Sequence, residues 1–325
     1  MDIYQSTLDY LMQFPVFDMW PGMKSVLERV ACGRPHAWRL PMILCEAVSG
    51  SREAAIPACA ALACAQISII LVDDMLDEDS RGEYRSIGFG RASNFAIAFH
   101  SSALDALCFC EAGARVRFEA VESLNRMLRE TAFGQELDVQ NPSDEDAYWR
   151  VVKNKSAPFY GSGFFLGALL GKARKATAAR LDTLGRLYGE MIQIHDDLND
   201  CMAVPANPDW LLGRKPLPIL FAQTVNHPER SKFIDLCGDA GSQESLTRAQ
   251  EILIRCGAVS YSIDCLAGRY RDARAILKDT ALLYENDVEA LLEELIMPVR
   301  NLFEVLGDGL PGFNLFVSES QAETG

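Results

Sequence analysis

Two acidic pentads in this chain share one spacing, and each follows a long apolar stretch. The first, DDMLD, begins at Asp73, and the second, DDLND, begins at Asp196. On a helix, residues i and i+4 lie on one face, so the first and last aspartates of each pentad project together. Like charges at this spacing repel each other unless a cation lies between them. Because magnesium is held by one or two carboxylates together with substrate phosphates, the spacing predicts magnesium ligands at Asp73, Asp77, Asp196 and Asp200.

The alternative interpretation is that each pentad is a solvated acidic helix end. For one pentad alone the two interpretations are evenly matched. Two pentads with the same spacing, both after apolar helices, favour metal binding. The neighbouring carboxylates are not among the predicted ligands and are expected either behind the ligands or exposed to solvent: Asp74, Glu78, Asp79 and Asp197.

The bulk composition argues against several functions. The chain has 325 residues, 49% of them hydrophobic, and a formal net charge of -14. Nucleic-acid binding needs basic patches, so this charge argues against it. The ten cysteines include no Cys-x-x-Cys pair, and the first residues lack the basic start and apolar run of a signal peptide. We therefore expect reduced cysteines in a cytoplasmic protein and no zinc site.

Apolar spacing and breaker residues indicate helices almost throughout, without strand-like alternation. Residues 54–72 carry no charged side chain and are long enough to span a membrane, but Pro57 and the acidic run that follows favour a buried core helix. No shift in composition divides the chain, so we expect one domain over 1–317 and a frayed tail over 318–325. The predicted helices cover about 2–13, 22–31, 40–49, 53–78, 92–112, 115–138, 145–171, 176–200, 215–226, 243–256, 259–284 and 287–305.

The two pentads resemble the first and second aspartate-rich motifs of the trans-isoprenyl diphosphate synthases, the polyprenyl synthetase family. Other segments resemble motifs of that family in the same order. GQELD from Gly134 resembles Gly-Gln-x-x-Asp, Lys155 with the next serine resembles Lys-Thr, and DWLLGRKPLP from Asp209 resembles Asp-x-x-x-Gly-Lys-x-Thr-Leu-Pro. Gln193 resembles the glutamine before the second aspartate motif. The resemblance covers most of the chain, and five ordered motifs make it specific.

The resemblance implies an all-α fold, a single large helical bundle of the isoprenoid synthase type around a central cavity, with Mg2+ as cofactor. It implies that Lys155 and Arg214 bind the diphosphate of an allylic substrate. It also implies that Gln135, Asp138 and Gln193 shape and polarise the region where the allylic cation forms. Simpler alternatives are a helix-surface pair for Gln135 and Asp138 and a solvated side chain for Lys155. We also expect a homodimer.

The segment that would bind the second diphosphate departs from the family. The family usually carries Gly-Lys-Arg-x-Arg-Pro there, whereas this chain has GRPHAW, in which Arg34 keeps one positive charge and Arg39 follows closely. Gln66 matches the family's His or Gln, and Arg81 stands where the family has two arginines. Each lost charge-assisted bond removes roughly 1.5–3 kcal/mol of binding free energy. We therefore expect weaker binding of isopentenyl diphosphate than in the family.

Candidate pocket residues lie near the first pentad and in the middle of the chain. In the family, the positions one turn before the first aspartate set how deep the isoprenoid tail reaches, and here these are Ser68 and Ile69. Neither is aromatic, so an aromatic ring does not close the pocket there. Phe159 and Phe164 share one predicted helix, where their faces could stabilise an allylic cation by cation–π attraction. The alternative for either phenylalanine is ordinary core packing.

These features favour a Mg2+-dependent prenyltransferase that ionises an allylic prenyl diphosphate (C10–C20) and condenses it with isopentenyl diphosphate. The thinned second site keeps open a class I terpene cyclase or a transferase to another acceptor on the same allylic diphosphate. The usual Asn/Ser/Glu triad of the cyclases is absent from residues 196–200, which favours the synthases. A third hypothesis is a non-catalytic partner subunit of a prenyl synthase, and the two intact pentads argue against it.

Overall fold

The computed structural model describes residues 2–49 and 51–306, with side chains described through Pro298. It confirms an all-α protein, because these residues form helices and turns and contain no β-strand. The predicted tail over 318–325 lies outside the described residues. In chain order the helices are α1 (Ile3–Leu11), α2 (Pro15–Met19), α3 (Pro21–Cys32), α4 (Leu40–Ser49), α5 (Ile56–Leu76), α6 (Tyr84–Ile87), α7 (Phe89–Cys108), α8 (Ala114–Val139), α9 (Glu145–Lys155), α10 (Ala157–Leu170), α11 (Lys175–Met202), α12 (Pro208–Leu211), α13 (Leu217–Thr224), α14 (Arg230–Cys237), α15 (Gln243–Arg255), α16 (Ala258–Lys278) and α17 (Asn286–Leu306).

The long helix predicted at 145–171 is two helices in the structure. α9 ends at Lys155, and α10 begins at Ala157 with Pro158 as its second residue. Proline lacks a backbone N–H and its ring crowds the preceding turn, so it starts a helix more readily than it continues one. The sequence prediction also missed α14, which has eight residues and is too short for a clear apolar period.

The described residues group into two compact units, and the first contains the described part of residues 1–140 together with 151–189 and 276–288. Its centre is α5, in which all residues from Ala58 to Ala65 are buried. α5 packs against α4, α7 and α10. The stretch Glu53–Leu76 is long and apolar enough to cross a membrane by length and composition, but 67% of an apolar 18-residue window within it is buried, which fits a core helix.

The second unit contains residues 141–150, 190–275 and the described residues from 289 onward. Trp210, Phe233 and Leu253 are among its buried core residues. Gln250 donates to the carbonyl of Cys201 at 3.1 Å, and the Trp210 indole donates to the same carbonyl at 3.2 Å. Because the last carbonyls of a helix lack partners within it, these bonds fix the end of α11, which carries the second pentad. The single domain expected over 1–317 stays a prediction.

Candidate active site

The first pentad lies at the C-terminal end of α5. Asp73 is in the last turn, and Asp77 caps the helix with its N–H donating to the Asp73 carbonyl at 2.8 Å. Both residues are half-buried. The apolar part of α5 is buried in the core, and the two carboxylates lie beyond it at the C-terminal end of the helix. The structure therefore has the first i, i+4 pair one helical turn apart, as the spacing predicts.

Lys155, the last residue of α9, lies against this pentad. Its Nζ is 3.0 Å from Asp73 Oδ1 and 2.6 Å from Asp138 Oδ2 on α8. Gln135, also on α8, donates through Nε2 to Asp73 Oδ1 at 3.3 Å and to the Ile69 carbonyl at 3.2 Å. Gln135 is 4% exposed and the Lys155 side chain 19%, so neither is a solvated surface residue. The structure thus brings together four residues predicted from the sequence.

A glycine makes this cluster sterically feasible. A Cβ added at Gly134 would lie 2.2 Å from the backbone nitrogen of Lys155 and 2.3 Å from the backbone carbon of Asn154. No real Cβ approaches backbone so closely, so only glycine lets α8 touch the end of α9 here. Asp138 follows one turn after Gly134, and this contact therefore brings its carboxylate to Lys155.

The electrostatics of the cluster follow from burial and crowding. Burial raises the pKa of Asp73, while the Lys155 ammonium opposes the rise. Burial raises the pKa of Asp74 to about 6, and the neighbouring carboxylates of Asp79 and Asp73 add to the rise. Burial disfavours the Lys155 ammonium, but Asp73 and Asp138 outweigh this cost and raise its pKa. Lys155 is therefore held in its charged form.

Arg34, predicted to bind the second diphosphate, is engaged by the N-terminal segment. Its Nη1 is 3.0 Å from Asp2 Oδ2 and its Nη2 is 3.3 Å from Asp2 Oδ1. The guanidinium also lies over the ring of Tyr4, 4.4 Å from the centroid. Its backbone is in the left-handed region, with φ of 49°. A diphosphate would have to compete with the Asp2 carboxylate for this cation.

The other two predicted residues of the second site also have protein partners. Gln66 Oε1 accepts a hydrogen bond from the Trp38 indole at 2.7 Å. Arg81 is bonded to Asp79 through Nε at 3.1 Å and Nη2 at 2.8 Å, with its side chain 81% exposed. Nothing in the sequence indicates the pairing of Gln66 with Trp38, because the two residues are 28 positions apart along the chain. The Asp79–Arg81 pair could have been found, since aspartate commonly bonds to groups two residues later.

The predicted pocket residues differ in their burial and in their contacts. Ser68 Oγ donates to the Ala96 carbonyl on α7 at 2.8 Å, so this side chain joins two helices. Phe164 is fully buried and packs on Tyr188, with ring centroids 5.6 Å apart. Ile69 is half-buried and Phe159 is 7% exposed. Their role in binding an isoprenoid tail stays a prediction.

The second pentad lies near the end of α11, in the second unit. Asp196 is exposed and Asp200 half-buried. Partial loss of hydration raises the pKa of Asp196 to about 6, and the negative charges of Asp200 and Asp197 add to the rise. The i, i+4 spacing thus holds two mutually repelling carboxylates on one helix, as the sequence predicts.

Asp197 is the buried residue of this pentad, with 4% exposure. Its Oδ2 accepts hydrogen bonds from the Tyr148 hydroxyl and the Leu217 N–H, both at 2.7 Å. Its Oδ1 accepts from Gln193 Nε2 at 2.8 Å. The carboxylate therefore joins α9, α11 and the first N–H of α13. Sequence reasoning missed Tyr148, since nothing in the sequence pairs a tyrosine on one helix with an aspartate on another.

Arg214, predicted to bind diphosphate, lies in the loop after α12. Its backbone N–H donates to the Asp209 carbonyl at 2.8 Å, and its Nε is 3.9 Å from Asp209 Oδ1. Gly213 precedes it with φ of 67°, a conformation that suits glycine. The Asn141 side chain donates to the Gly213 carbonyl at 2.8 Å. The loop is thus fixed by hydrogen bonds within the second unit.

The carboxylates of the two pentads are oxygen donors of the kind that hard divalent cations prefer. The described residues contain no group of three His, Cys, Asp or Glu side chains that could hold a metal ion. Magnesium does not need such a group, because it takes one or two carboxylates plus substrate phosphates and water. Burial raises the pKa values of Asp74 and Asp196, and neighbouring carboxylates raise them further; a bound divalent cation would offset this negative charge.

Comparison with solved structures defines the class of fold. The crystal structure of geranylgeranyl pyrophosphate synthetase from Pyrococcus horikoshii matches with a TM-score of 0.79 and 18% identity, over 90% of this chain and 94% of that one. A polyprenyl synthase from Caulobacter crescentus, complexed with calcium and isoprenyl diphosphate, matches with a TM-score of 0.67 and 19% identity, over 89% and 95% of the two chains. The fold is therefore that of the isoprenyl diphosphate synthases.

Sequence comparison gives the family. The polyprenyl synthetase model matches residues 34–253, and the chain belongs to this family. It is 26% identical to a geranylgeranyl diphosphate synthase of Methanosarcina mazei, over 68% of this chain and 71% of that protein. It is also 26% identical to a short chain isoprenyl diphosphate synthase of Methanothermobacter thermautotrophicus, over 78% and 81%. The chain is thus a transferase of the isoprenyl diphosphate synthase type.

Proposed function

We propose that this chain is a Mg2+-dependent prenyltransferase that ionises an allylic prenyl diphosphate (C10–C20) and condenses it with isopentenyl diphosphate, releasing diphosphate. The observation that carries the proposal is the contact of Lys155 with Asp73 and Asp138. It puts a charged ammonium beside a predicted metal ligand, where the charge of a leaving diphosphate would develop. The names of the two archaeal relatives support the same chemistry.

Each residue has a role in this proposal. Asp73, Asp77, Asp196 and Asp200 hold magnesium, which when bound supplies Lewis-acid stabilisation of the departing diphosphate. Lys155 and Arg214 bind the diphosphate oxygens, because charge-assisted hydrogen bonds to phosphate are strong. Gln135, Asp138 and Gln193 orient these groups and polarise the region around the allylic carbon.

The reaction breaks the bond between the allylic carbon and the diphosphate oxygen, and the electron pair leaves with the diphosphate. Lys155 stabilises the developing negative charge by donating hydrogen bonds from its ammonium to the diphosphate oxygens. The double bond of isopentenyl diphosphate then attacks the allylic cation and forms the new carbon–carbon bond, and transfer of a proton from the resulting cation to the released diphosphate gives the longer allylic diphosphate. Exclusion of water protects the cation from quenching.

A second candidate function is a terpene cyclase, or a transferase to another acceptor. It is favoured by the protein partners of the predicted second diphosphate site, where Arg34 is paired with Asp2 and Gln66 with Trp38. In this case a double bond of the substrate's own tail, or another acceptor, captures the cation.

The test is incubation with magnesium and farnesyl diphosphate, with and without isopentenyl diphosphate, analysed by mass spectrometry. A longer diphosphate that forms only with isopentenyl diphosphate is expected. Hydrocarbon or alcohol formed without it would instead support the cyclase. Failure to release diphosphate in either incubation would indicate the third hypothesis, a non-catalytic partner subunit.

We further propose a cytoplasmic homodimer. All ten cysteines are free, which suits a reducing compartment. Large apolar side chains on the first unit are exposed, including Ile97 at 70% on α7 and Phe118 at 72% on α8. Covering such residues with a second copy would remove apolar surface from water. Sedimentation equilibrium should give twice the chain mass, and a monomer at micromolar concentration would contradict this proposal.

A further inference from the structure

A cationic side chain of the protein itself lies against the first pentad. Lys155 Nζ lies 3.0 Å from Asp73 Oδ1 and 2.6 Å from Asp138 Oδ2, within hydrogen-bonding range of both. The side chains are largely shielded from water, with exposures of 19% for Lys155, 30% for Asp73 and 25% for Asp138. One ammonium thus offsets charge on two carboxylates.

The backbone fixes this arrangement. Gly134 allows α8 to touch the backbone at Asn154 and Lys155, where any Cβ would lie within 2.5 Å. α9 ends at Lys155, immediately before the helix that contains Pro158. The lysine therefore starts from a constrained helix end, with Asp73 and Asp138 on two neighbouring helices within its reach. The packing of α5, α8 and α9 therefore determines where the Lys155 side chain lies.

A divalent cation bound by Asp73 would need the same carboxylate that Lys155 occupies. A charge-assisted hydrogen bond in a shielded site must be broken or weakened when the acceptor binds a metal. Once Lys155 is released from Asp73, its ammonium can donate a strong hydrogen bond to a phosphate oxygen. Metal binding at Asp73 and phosphate binding by Lys155 are therefore thermodynamically linked, so each favours the other.

We propose that Lys155 is a resident counter-cation of the first pentad, which competes with a divalent metal for Asp73 and is released toward the diphosphate when the metal binds. This inference rests on the proposed function, in which Asp73 is a metal ligand. It predicts that the protein without substrate binds metal weakly at the first pentad, because Lys155 already neutralises the site.

The experiment measures metal binding without any substrate. Mn2+ is the probe, and electron paramagnetic resonance measures how much of it binds during a titration. The protein carries Asp196→Asn and Asp200→Asn, so that the measured affinity is that of the first pentad. The test variant is Lys155→Met, and the matched control is Lys153→Met, which removes the same charge from an exposed neighbour. Lys155→Met should bind Mn2+ about tenfold more tightly, as expected from removal of one charge-assisted competitor. Lys153→Met should change the affinity by less than about twofold.

Two further variants distinguish a failure of the proposed metal site from a failure of the counter-cation proposal. Lys155→Arg keeps the charge and should retain weak Mn2+ binding. Asp73→Asn should abolish binding, and unchanged binding in that variant would refute the proposed metal site itself. If Asp73→Asn abolishes binding but Lys155→Met and Lys153→Met bind equally, the counter-cation is refuted while the metal site stands.

A measurement on the unmodified chain covers the case in which Lys155→Met does not fold. Acetylation by an amine-reactive ester, followed by mass spectrometry of the peptides, reports how available each lysine is. Addition of Mn2+ should increase acetylation of Lys155 at least severalfold and leave Lys153 unchanged. Unchanged acetylation of Lys155 at saturating Mn2+ would overturn the inference.

Discussion

The two pentads have the same spacing but are stabilised in different ways. Around the first, Lys155 lies between Asp73 and Asp138, so an internal ammonium offsets the carboxylate charge. In the second, Asp197 is buried and accepts hydrogen bonds from a hydroxyl, a side-chain amide and a backbone N–H. None of these three donors carries a charge. The support of the first motif therefore includes an ammonium, and that of the second includes a hydroxyl, a side-chain amide and a backbone N–H on a buried carboxylate.

This difference has consequences for function. An ionic support can be exchanged for a metal or a phosphate, because each is a charged partner for the same groups. A neutral support around a buried carboxylate is structural, since loss of the carboxylate leaves several donors without an acceptor. We therefore expect substitutions in the first region to respond to magnesium and substitutions around Asp197 to be insensitive to it.

The largest expected effect is that of Asp197→Ala. Removing the buried carboxylate leaves the Tyr148 hydroxyl and the Leu217 N–H without their acceptor, at a cost of about 4 kcal/mol in the free energy of unfolding. Urea denaturation measures it. Asn199→Ala, on the exposed side of the same helix, is the control and should change stability by less than about 0.5 kcal/mol. Similar effects for the two variants would show that Asp197 is not the structural support of its region.

Gly134→Ala should destabilise the first region by about 3 kcal/mol, because the new methyl group would overlap the backbone of α9. The matched control is Gly90→Ala on α7, where nothing lies within 4 Å of an added Cβ. That change should be neutral or stabilising by up to about 1 kcal/mol, since alanine favours the helix. Thermal and urea unfolding compare the two. Equal stability of both variants would contradict the close approach of α8 and α9.

Tyr148→Phe should cost about 1–2 kcal/mol, because it removes the hydrogen bond from the Tyr148 hydroxyl to Asp197 and keeps the ring. Combining it with Asp197→Ala tests whether the two act together. The loss in the double variant should be smaller than the sum of the single losses, since both remove the same bond. Strict additivity would mean that the bond contributes nothing.

The smallest expected change in stability is that of Asp2→Asn, below about 1 kcal/mol, because the Asp2–Arg34 pair is exposed to solvent. Its effect on substrate should be clearer. If Arg34 binds the second diphosphate as proposed, release from Asp2 lowers KM for isopentenyl diphosphate severalfold and leaves KM for the allylic substrate unchanged. Steady-state kinetics with each substrate varied in turn provide the measurement. An equal change in both KM values would argue against this role of Arg34.

Much of the fold was predictable because helices have a strong apolar period. α5 was found from its long uncharged apolar run and α11 from its apolar spacing, and a pentad marks the acidic end of each. The break at Ser156 was missed, although Pro158 marks the start of the second helix. Local signals therefore located the helices, but they located the break between α9 and α10 less well.

The site was predictable only in part. Motif resemblance identified Lys155, Gln135 and Asp138, and the structure brings them into contact with Asp73. The partners of Arg34 and Gln66, and the burial of Asp197, were not predictable, because they depend on tertiary contacts between distant helices. Spacing within a helix shows which side chains share a face, but it does not show what that face meets.

The most direct test of the difference between the two regions is the stability of Lys155→Met and Tyr148→Phe, measured by urea unfolding with EDTA and then with magnesium. In EDTA, Lys155→Met should lose about 2–3 kcal/mol, because Asp73 and Asp138 lose their shared cation. Magnesium should reverse a large part of that loss by binding the folded state, and it should leave the loss in Tyr148→Phe unchanged. Equal responses of the two variants to magnesium would contradict the account.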